Sequence, residues 1–295
     1  MAKPETGTVS PTFGQAAEGA SHHISGRCCN VKQEKITFGG MGKEPGKFFG
    51  NVGVAVSADN EIFVTDFDWK DQRVQVFSIN GTYLRLLSTV VPGESKTMRP
   101  YGLASDAESG YLWVLGRRHV VQYSKNGQPI KKFDVSLKGV FPVIAMDVRN
   151  NKVIVGDLNT IMVFDPNGSR IWSSKLPTEE AIMGVTSDKE GNVLLTDWNK
   201  GVYKYNTYGV KIFEFGTCGK GQSISPRGIC LDTSGRIIVA NEYNDRVDIF
   251  TSQGEFVRSI AGIKFPQAVA MGPCGELVVT SRYNVIIFPR HMVLP

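Results

Sequence analysis

The sequence predicts an all-β fold, a six-bladed β-propeller of four-stranded blades closed by an N-terminal strand that completes the last blade. Two periodic features predict it. An aromatic residue followed four places later by glycine recurs in five regularly spaced pairs, Phe77/Gly81, Tyr123/Gly127, Phe164/Gly168, Tyr205/Gly209 and Phe250/Gly254, with successive glycines 46, 41, 41 and 45 residues apart. A second turn signal stands ahead of each, at Asp59-Asn60, Ser109-Gly110, Asn150-Asn151, Glu190-Gly191 and Ser234-Gly235, and recurs once more at Cys274-Gly275. The segments between are short and rich in β-branched and aromatic residues. None sustains a 3.6-residue period, so helices should be almost absent.

Residues 1–34 hold few large apolar groups, cannot offset the entropy of ordering, and read as a disordered leader. Its adjacent doublets His22-His23 and Cys28-Cys29 lack the spacing of structural zinc ligands. The propeller is expected over 35–290, with 291–295 as a tail. In the first repeat, strands fall near 52–57, 61–66, 73–78 and 83–88, and Arg73-Val74-Gln75-Val76-Phe77 alternates with a period of two. First strands begin near Val52, Tyr101, Val143, Ile182, Gly228 and Ala268. Asn80-Gly81-Thr82 and Asn167-Gly168-Ser169 read as hairpin turns rather than glycosylation sites. The sixth repeat offers only three strands before Pro289, so Lys35-Ile36-Thr37-Phe38 is expected to supply the fourth, which closes the ring and removes two exposed edges. One four-stranded sheet cannot hide both its faces; radial stacking of such repeats does.

Composition narrows the function classes. No apolar run reaches the roughly 18 residues of a membrane span. Met1-Ala2-Lys3-Pro4-Glu5 leads into no apolar stretch, so no secretory signal is expected. Five unevenly placed cysteines, Cys28, Cys29, Cys218, Cys230 and Cys274, read as reduced thiols of a cytoplasmic protein. A net charge of +5 permits an acidic partner without requiring one.

The repeats also resemble the NHL repeat. Phe38-Gly39 and Phe215-Gly216 match its Phe-Gly element, and Arg99-Pro100-Tyr101-Gly102 and Ser225-Pro226-Arg227-Gly228 match its Pro-x-Gly. Asp66, Asp157 and Asp197 stand after second strands, with Asn241 in the same place. Arg73-Val74-Gln75-Val76-Phe77 and Arg246-Val247-Asp248-Ile249-Phe250 match its Arg-Val-x-x-Phe. Repeats two, three and six depart: no glycine follows Pro142 in the third, and the sixth reads Phe265-Pro266-Gln267. The similarity is to propellers of the tripartite-motif NHL (Brain tumor-like) family. It implies a recognition module that binds a protein partner, with ubiquitin-ligase substrate recognition as one role, or that binds single-stranded RNA in post-transcriptional regulation. Ligase chemistry would need a RING domain, whose zinc motif this chain lacks.

No catalytic residue, cofactor, metal or small-molecule substrate is expected. The inner-strand starts Asn51, Tyr101, Val143, Ala181, Arg227 and Gln267 offer too few oxygen ligands for calcium. Two histidines, His119 and His291, fall short of a three-histidine zinc site, and His119 reads as a half-exposed loop residue. The recurrent acids Asp66, Asp157 and Asp197 are expected to cap turns or to pair with Arg73.

Topology assigns a binding face. In an up-and-down blade, the loop between strands two and three shares a side with the loop into the next blade. That side gathers the candidate contact residues Trp69, Lys70, Arg73, Arg99, Arg117, Arg118, Trp198, Lys200, Arg227, Tyr243, Arg282 and Tyr283. The same side also carries the acids Asp68, Asp71, Glu94, Glu179, Glu180, Glu242 and Asp245, so its basic excess is modest, and the other side holds Asp59, Glu61, Asp106, Glu108, Asp188, Glu190 and Asp232. Cations interleaved with aromatics suit a protein interface, and also single-stranded RNA, where rings stack on bases.

Overall fold

The structure is a computed structural model that describes residues 34–66, 73–106, 109–176, 181–198, 200–216 and 224–293. Nearly all of the expected leader, with its histidine and cysteine doublets, lies outside the described residues. So do Cys218, Trp69 and Lys70.

The described chain folds as six four-stranded antiparallel sheets. The first strand, β1 (Ile36–Gly39), precedes five complete blades. Blade one is β2 (Asn51–Val56), β3 (Glu61–Asp66), β4 (Arg73–Ser78) and β5 (Tyr83–Leu87). Blade two is β6 (Gly102–Ser105), β7 (Leu112–Leu115), β8 (His119–Tyr123) and β9 (Pro129–Asp134). Blade three is β10 (Val143–Asp147), β11 (Lys152–Asp157), β12 (Thr160–Phe164) and β13 (Arg170–Lys175). Blade four is β14 (Ile182–Ser187), β15 (Val193–Asp197), β16 (Gly201–Tyr205) and β17 (Lys211–Phe215). Blade five is β18 (Pro226–Leu231), β19 (Ile237–Asn241), β20 (Arg246–Phe250) and β21 (Phe256–Ala261). Blade six joins β22 (Pro266–Met271), β23 (Leu277–Ser281) and β24 (Asn284–Phe288) to β1, in the order β1-β24-β23-β22. β1 pairs antiparallel with β24, with Ile36 opposite Ile287 and Phe38 opposite Val285. The inner strands β2, β6, β10, β14, β18 and β22 neighbour one another in a closed ring, so the expected closure is observed.

The aromatic-x-x-x-Gly signal is explained by the hairpin between third and fourth strands. Ser78 N–H donates to the Thr82 carbonyl at 2.9 Å and Gly81 N–H returns to the Ser78 carbonyl at 2.9 Å, which closes a three-residue loop. Gly81 sits at φ +80°, and Gly127, Gly168, Gly209 and Gly254 repeat that geometry at +81°, +93°, +78° and +87°. A side chain with a Cβ is strained there, which is why glycine recurs.

The core lies in six seams between adjacent blades. Blade one meets blade two through Val74, Val76 and Leu87 against Leu103, Val114 and Val121. The closing seam sets Phe48, Ile62 and Val64 against Val278, Val285 and Ile287, with the Phe38 and Phe77 rings in tilted contact 4.7 Å apart. Second and third strands are therefore buried on both faces. Gln75, at the polar position of the alternating third strand, is 0% exposed and is satisfied by Gly46 N–H at 2.9 Å and the Lys47 carbonyl at 2.7 Å. Among the described residues, helix is confined to a 3₁₀ turn at Glu242–Asn244 and one turn, α1 (Arg290–Val293), whose Val293 is buried in the seam between blades five and six.

Cys274 is disulfide-bonded, against the expectation of reduced thiols throughout; an odd count does not exclude one pair. Cys230 is free, and burial followed by the Asp232 carboxylate pushes its thiol up, keeping it protonated.

Candidate binding face

The loops joining second to third strands, and those leading into the next blade, open on one face. Carboxylates and an amide at the ends of second strands hold them. Asp66 accepts Phe49 N–H at 2.8 Å and Gly50 N–H at 3.2 Å on one oxygen, and Arg73 Nε at 3.0 Å on the other. Asp157 accepts Lys138 N–H at 2.8 Å and Gly139 N–H at 2.7 Å. Asn241 accepts Ser225 N–H at 2.9 Å. Each clasps the segment that feeds its own blade, in line with the capping expected of Asp66 and Asp157; Asp197 is buried at the end of β15.

These clasps consume part of the charge assigned to the face. Arg73 gives its remaining nitrogens to the carbonyls of Lys43 at 2.7 Å and Lys47 at 3.0 Å. Arg246 pairs with the buried Asp248 at 2.9 Å, which also binds Asn241 and Ser259. The arginine of the Arg-Val-x-x-Phe motif is thus tied down in both blades, Arg73 on loop carbonyls and Arg246 on Asp248 of its own strand.

Other arginines join aromatics in a continuous rail. Arg117 lies 5.9 Å from the Tyr101 ring centroid and donates to the Gly139 carbonyl at 3.2 Å. Two residues on, Phe141 carries the guanidinium of Arg227 at 5.5 Å, and Arg227 lies 4.7 Å from the Trp198 ring. Trp198 meets Tyr243 edge-on at 6.3 Å. The rail crosses blades two to five. Arg227 is fixed by the buried Glu242, which accepts its Nε at 2.8 Å. The 3₁₀ turn sends Glu242 inward and leaves Tyr243 62% exposed.

The rail borders the channel mouth, a cavity of about 120 Å³ lined by Tyr101, Phe141, Arg227 and Gln267 above inner-strand glycines. A Cβ on Gly228 would stand 2.6 Å from Ala268 Cα, and one on Gly184 2.5 Å from the Arg227 carbonyl. The glycine of Pro-x-Gly therefore lets inner strands approach and sets Arg227 above them. Among the described residues, no group of three His, Cys, Asp or Glu is placed to hold a metal ion.

A second concavity, about 1040 Å³, lies over blade two and is lined by Lys96, Arg99, Arg117, Arg118 and His119. His119 opens β8 instead of lying in a loop, and its ring sits between Asp134 at 2.8 Å and Glu94 at 3.2 Å. Glu94 also binds Lys132 at 2.6 Å; that bond first, then the charges of Lys132, His119 and Arg118, holds its carboxyl below the usual range. Arg282 stacks 5.3 Å from Tyr283 on blade six and is exposed, as is Lys200 on blade four.

Several members of the face carry no sequence expectation. Phe141 is 43% exposed, Val140 62%, Leu158 46% and Phe265 44%. One signal could have found two of them: Phe141-Pro142 and Phe265-Pro266 place an aromatic directly before the proline that opens an inner strand. On the opposite side the acids are engaged locally, with Glu61 on Arg85, Asp188 on Lys204 and Asp232 on Arg236.

Fold, repeat and face together define a closed six-bladed propeller consistent with the NHL-repeat kind. No family model matches the chain. It is 27% identical to Protein brain tumor of Drosophila melanogaster over 147 residues, which is 47% of this chain and 14% of that protein. It is 31% identical to Protein lin-41 of Caenorhabditis elegans over 115 residues, 32% of this chain and 10% of that protein. Both relatives are NHL-repeat proteins, and the matched region is a small part of each. Among solved structures, a streptogramin B lyase matches with a TM-score of 0.59 at 14% identity, over 86% of this chain and 97% of that one. A virginiamycin B lyase from Staphylococcus aureus matches with 0.60 at 12% identity, over 86% and 98%. A nidogen/laminin complex chain matches with 0.58 at 12% identity, over 75% and 84%. At these identities the structural likeness shows the fold alone.

Proposed function

We propose that this propeller is a non-catalytic recognition module that binds a protein partner through the face carrying the arginine–aromatic rail. The observation that carries the reading is the occupancy of the ring faces. Guanidinium groups cover one face of Tyr101, Phe141 and Trp198, whereas single-stranded RNA needs open faces on which bases stack. Beside the rail stand the exposed aliphatics Val140 and Leu158, which suit protein anchors and offer bases no π-surface. Arg, Trp and Tyr are also the residues that dominate protein interfaces. The relatives brain tumor and lin-41 support a macromolecular partner, protein or RNA. The resemblance to tripartite-motif proteins supports a substrate-recognition role in ubiquitin transfer by a ligase module.

Salt dependence tests the choice. Protein capture by the full chain should survive nuclease treatment and change little between about 50 and 200 mM salt, and Phe141→Ala/Tyr243→Ala should abolish it. RNA capture that weakens with a log–log slope near −0.7 per phosphate, and that Arg117→Glu/Arg118→Glu abolishes, would replace this reading with the RNA one.

A further inference from the structure

The concavity over blade two is distinct in character from the rail. Its cationic lining comes from Lys96 and Arg99 on the long loop between blades one and two, and from Arg117 and Arg118 on the turn between β7 and β8. The hydroxyl-bearing residues Thr97 and Ser136 line the same space. Two carboxylates, Glu94 and Asp134, also face it, and both are engaged by basic neighbours: Glu94 by Lys132 and His119, Asp134 by His119. Lys96, Arg117 and Arg118 therefore leave the cavity with a cationic excess.

From this geometry we infer that the blade-two cavity is a subsite for a phosphorylated serine or threonine in the partner protein. The inference rests on the protein-binding reading and adds the chemical class of the recognised segment. The guanidinium fork of Arg118, the charge of the neighbouring Arg117 and the ammonium of Lys96 suit the oxygens and near-double charge of a phosphoryl group, for which hydroxyls are further donors. A lone carboxylate would use a fraction of that donor set. The subsite is also continuous with the apolar anchors. Arg117 holds the Gly139 carbonyl, and Val140 and Phe141 follow at once, so a short peptide can seat its phosphate on blade two and an apolar side chain on the rail.

Fluorescence anisotropy on the full chain tests this with four labelled probes. Three are degenerate peptide pools with a fixed central phosphoserine, serine or glutamate, and the fourth is an oligouridine. The phosphoserine pool should bind at least roughly tenfold more tightly than the serine pool, with the glutamate pool close to serine. Arg118→Ala should erase most of that preference, and Arg118→Lys, which keeps the charge but loses the fork, should erase part of it. Trp198→Ala should weaken both pools alike and leave their ratio intact. Equal affinity for the phosphoserine and serine pools, both weakened by Trp198→Ala, would overturn the phosphate subsite and leave the protein-binding reading standing. Binding of the oligouridine alone would overturn both.

Discussion

The guanidinium of Arg227 lies 4.7 Å from the ring centroid of Trp198, and the buried Glu242 fixes it there through a 2.8 Å bond. Arg227 opens the inner strand of blade five and Trp198 follows the second strand of blade four, so the pair ties two blades at the channel mouth. A desolvated cation–π contact contributes up to about 2 kcal/mol. Arg227→Ala should lower stability by roughly 1–3 kcal/mol in urea unfolding, because Glu242 is also left without its partner. It should weaken partner binding by at least about tenfold. Arg227→Lys should keep the ion pair, recover most of the stability, and still bind weakly, since an ammonium cannot stack on Phe141 and Trp198.

The clasp on blade one yields a separate expectation. Asp66 is buried and accepts two loop amides and Arg73. Asp66→Ala should cost about 2–4 kcal/mol and increase amide exchange at Phe49 and Gly50. Asp66→Asn, which keeps one carbonyl acceptor, should cost less. If hydrogen exchange leaves those two amides as protected in Asp66→Ala as in the parent, the clasp does not hold the loop.

Ring closure depends on the seam between blades six and one. The Phe38 ring on β1 lies tilted 4.7 Å from that of Phe77, and 5.7 Å separates Phe77 from Phe48. Phe38→Ala should cost roughly 2–4 kcal/mol and raise the tendency to associate through the loosened edge of β24. A loss under about 1 kcal/mol, in the range of surface substitutions, would mean that β1 is not needed to hold the ring.

Asp188 provides a pH-dependent expectation. Burial alone would raise its carboxyl, but the bond from Lys204 and those from Asn192 lower it below the ordinary value. A carboxyl held low in the folded state adds stability above its unfolded pKa of about 4 and loses that contribution as pH falls through the folded value. Lys204→Met should therefore destabilise the protein by about 1–3 kcal/mol near neutral pH, with the deficit shrinking in acid. Urea unfolding at about pH 7 and about pH 3 reads this directly. An equal deficit at both would show that the pair is not the source.

Much of the fold was legible because one rule, a left-handed residue closing a three-residue hairpin, forces glycine at the same place in five repeats. The missing strand of repeat six then demanded a partner, and Ile36–Gly39 was the remaining apolar segment of the right length. The face was legible only in outline. Charge counting cannot tell that Arg73 is spent on the carbonyls of Lys43 and Lys47, because those acceptors are backbone atoms with no sequence signature. Phe141 was missed because the residue before an inner-strand proline differs among repeats, and only the fold shows that it overlooks the channel mouth. The opening of β8 at His119 was missed because element ends carry little periodic signal.

Site-directed photocrosslinking compares the two sides of the disc within one experiment. A photoreactive phenylalanine replaces Tyr243 on the rail or Tyr208, 85% exposed on the opposite side. Adducts should form from position 243, be destroyed by protease and resist ribonuclease, with none from position 208. Adducts formed from position 208, or ribonuclease-sensitive adducts from position 243, would contradict recognition of a protein through the rail.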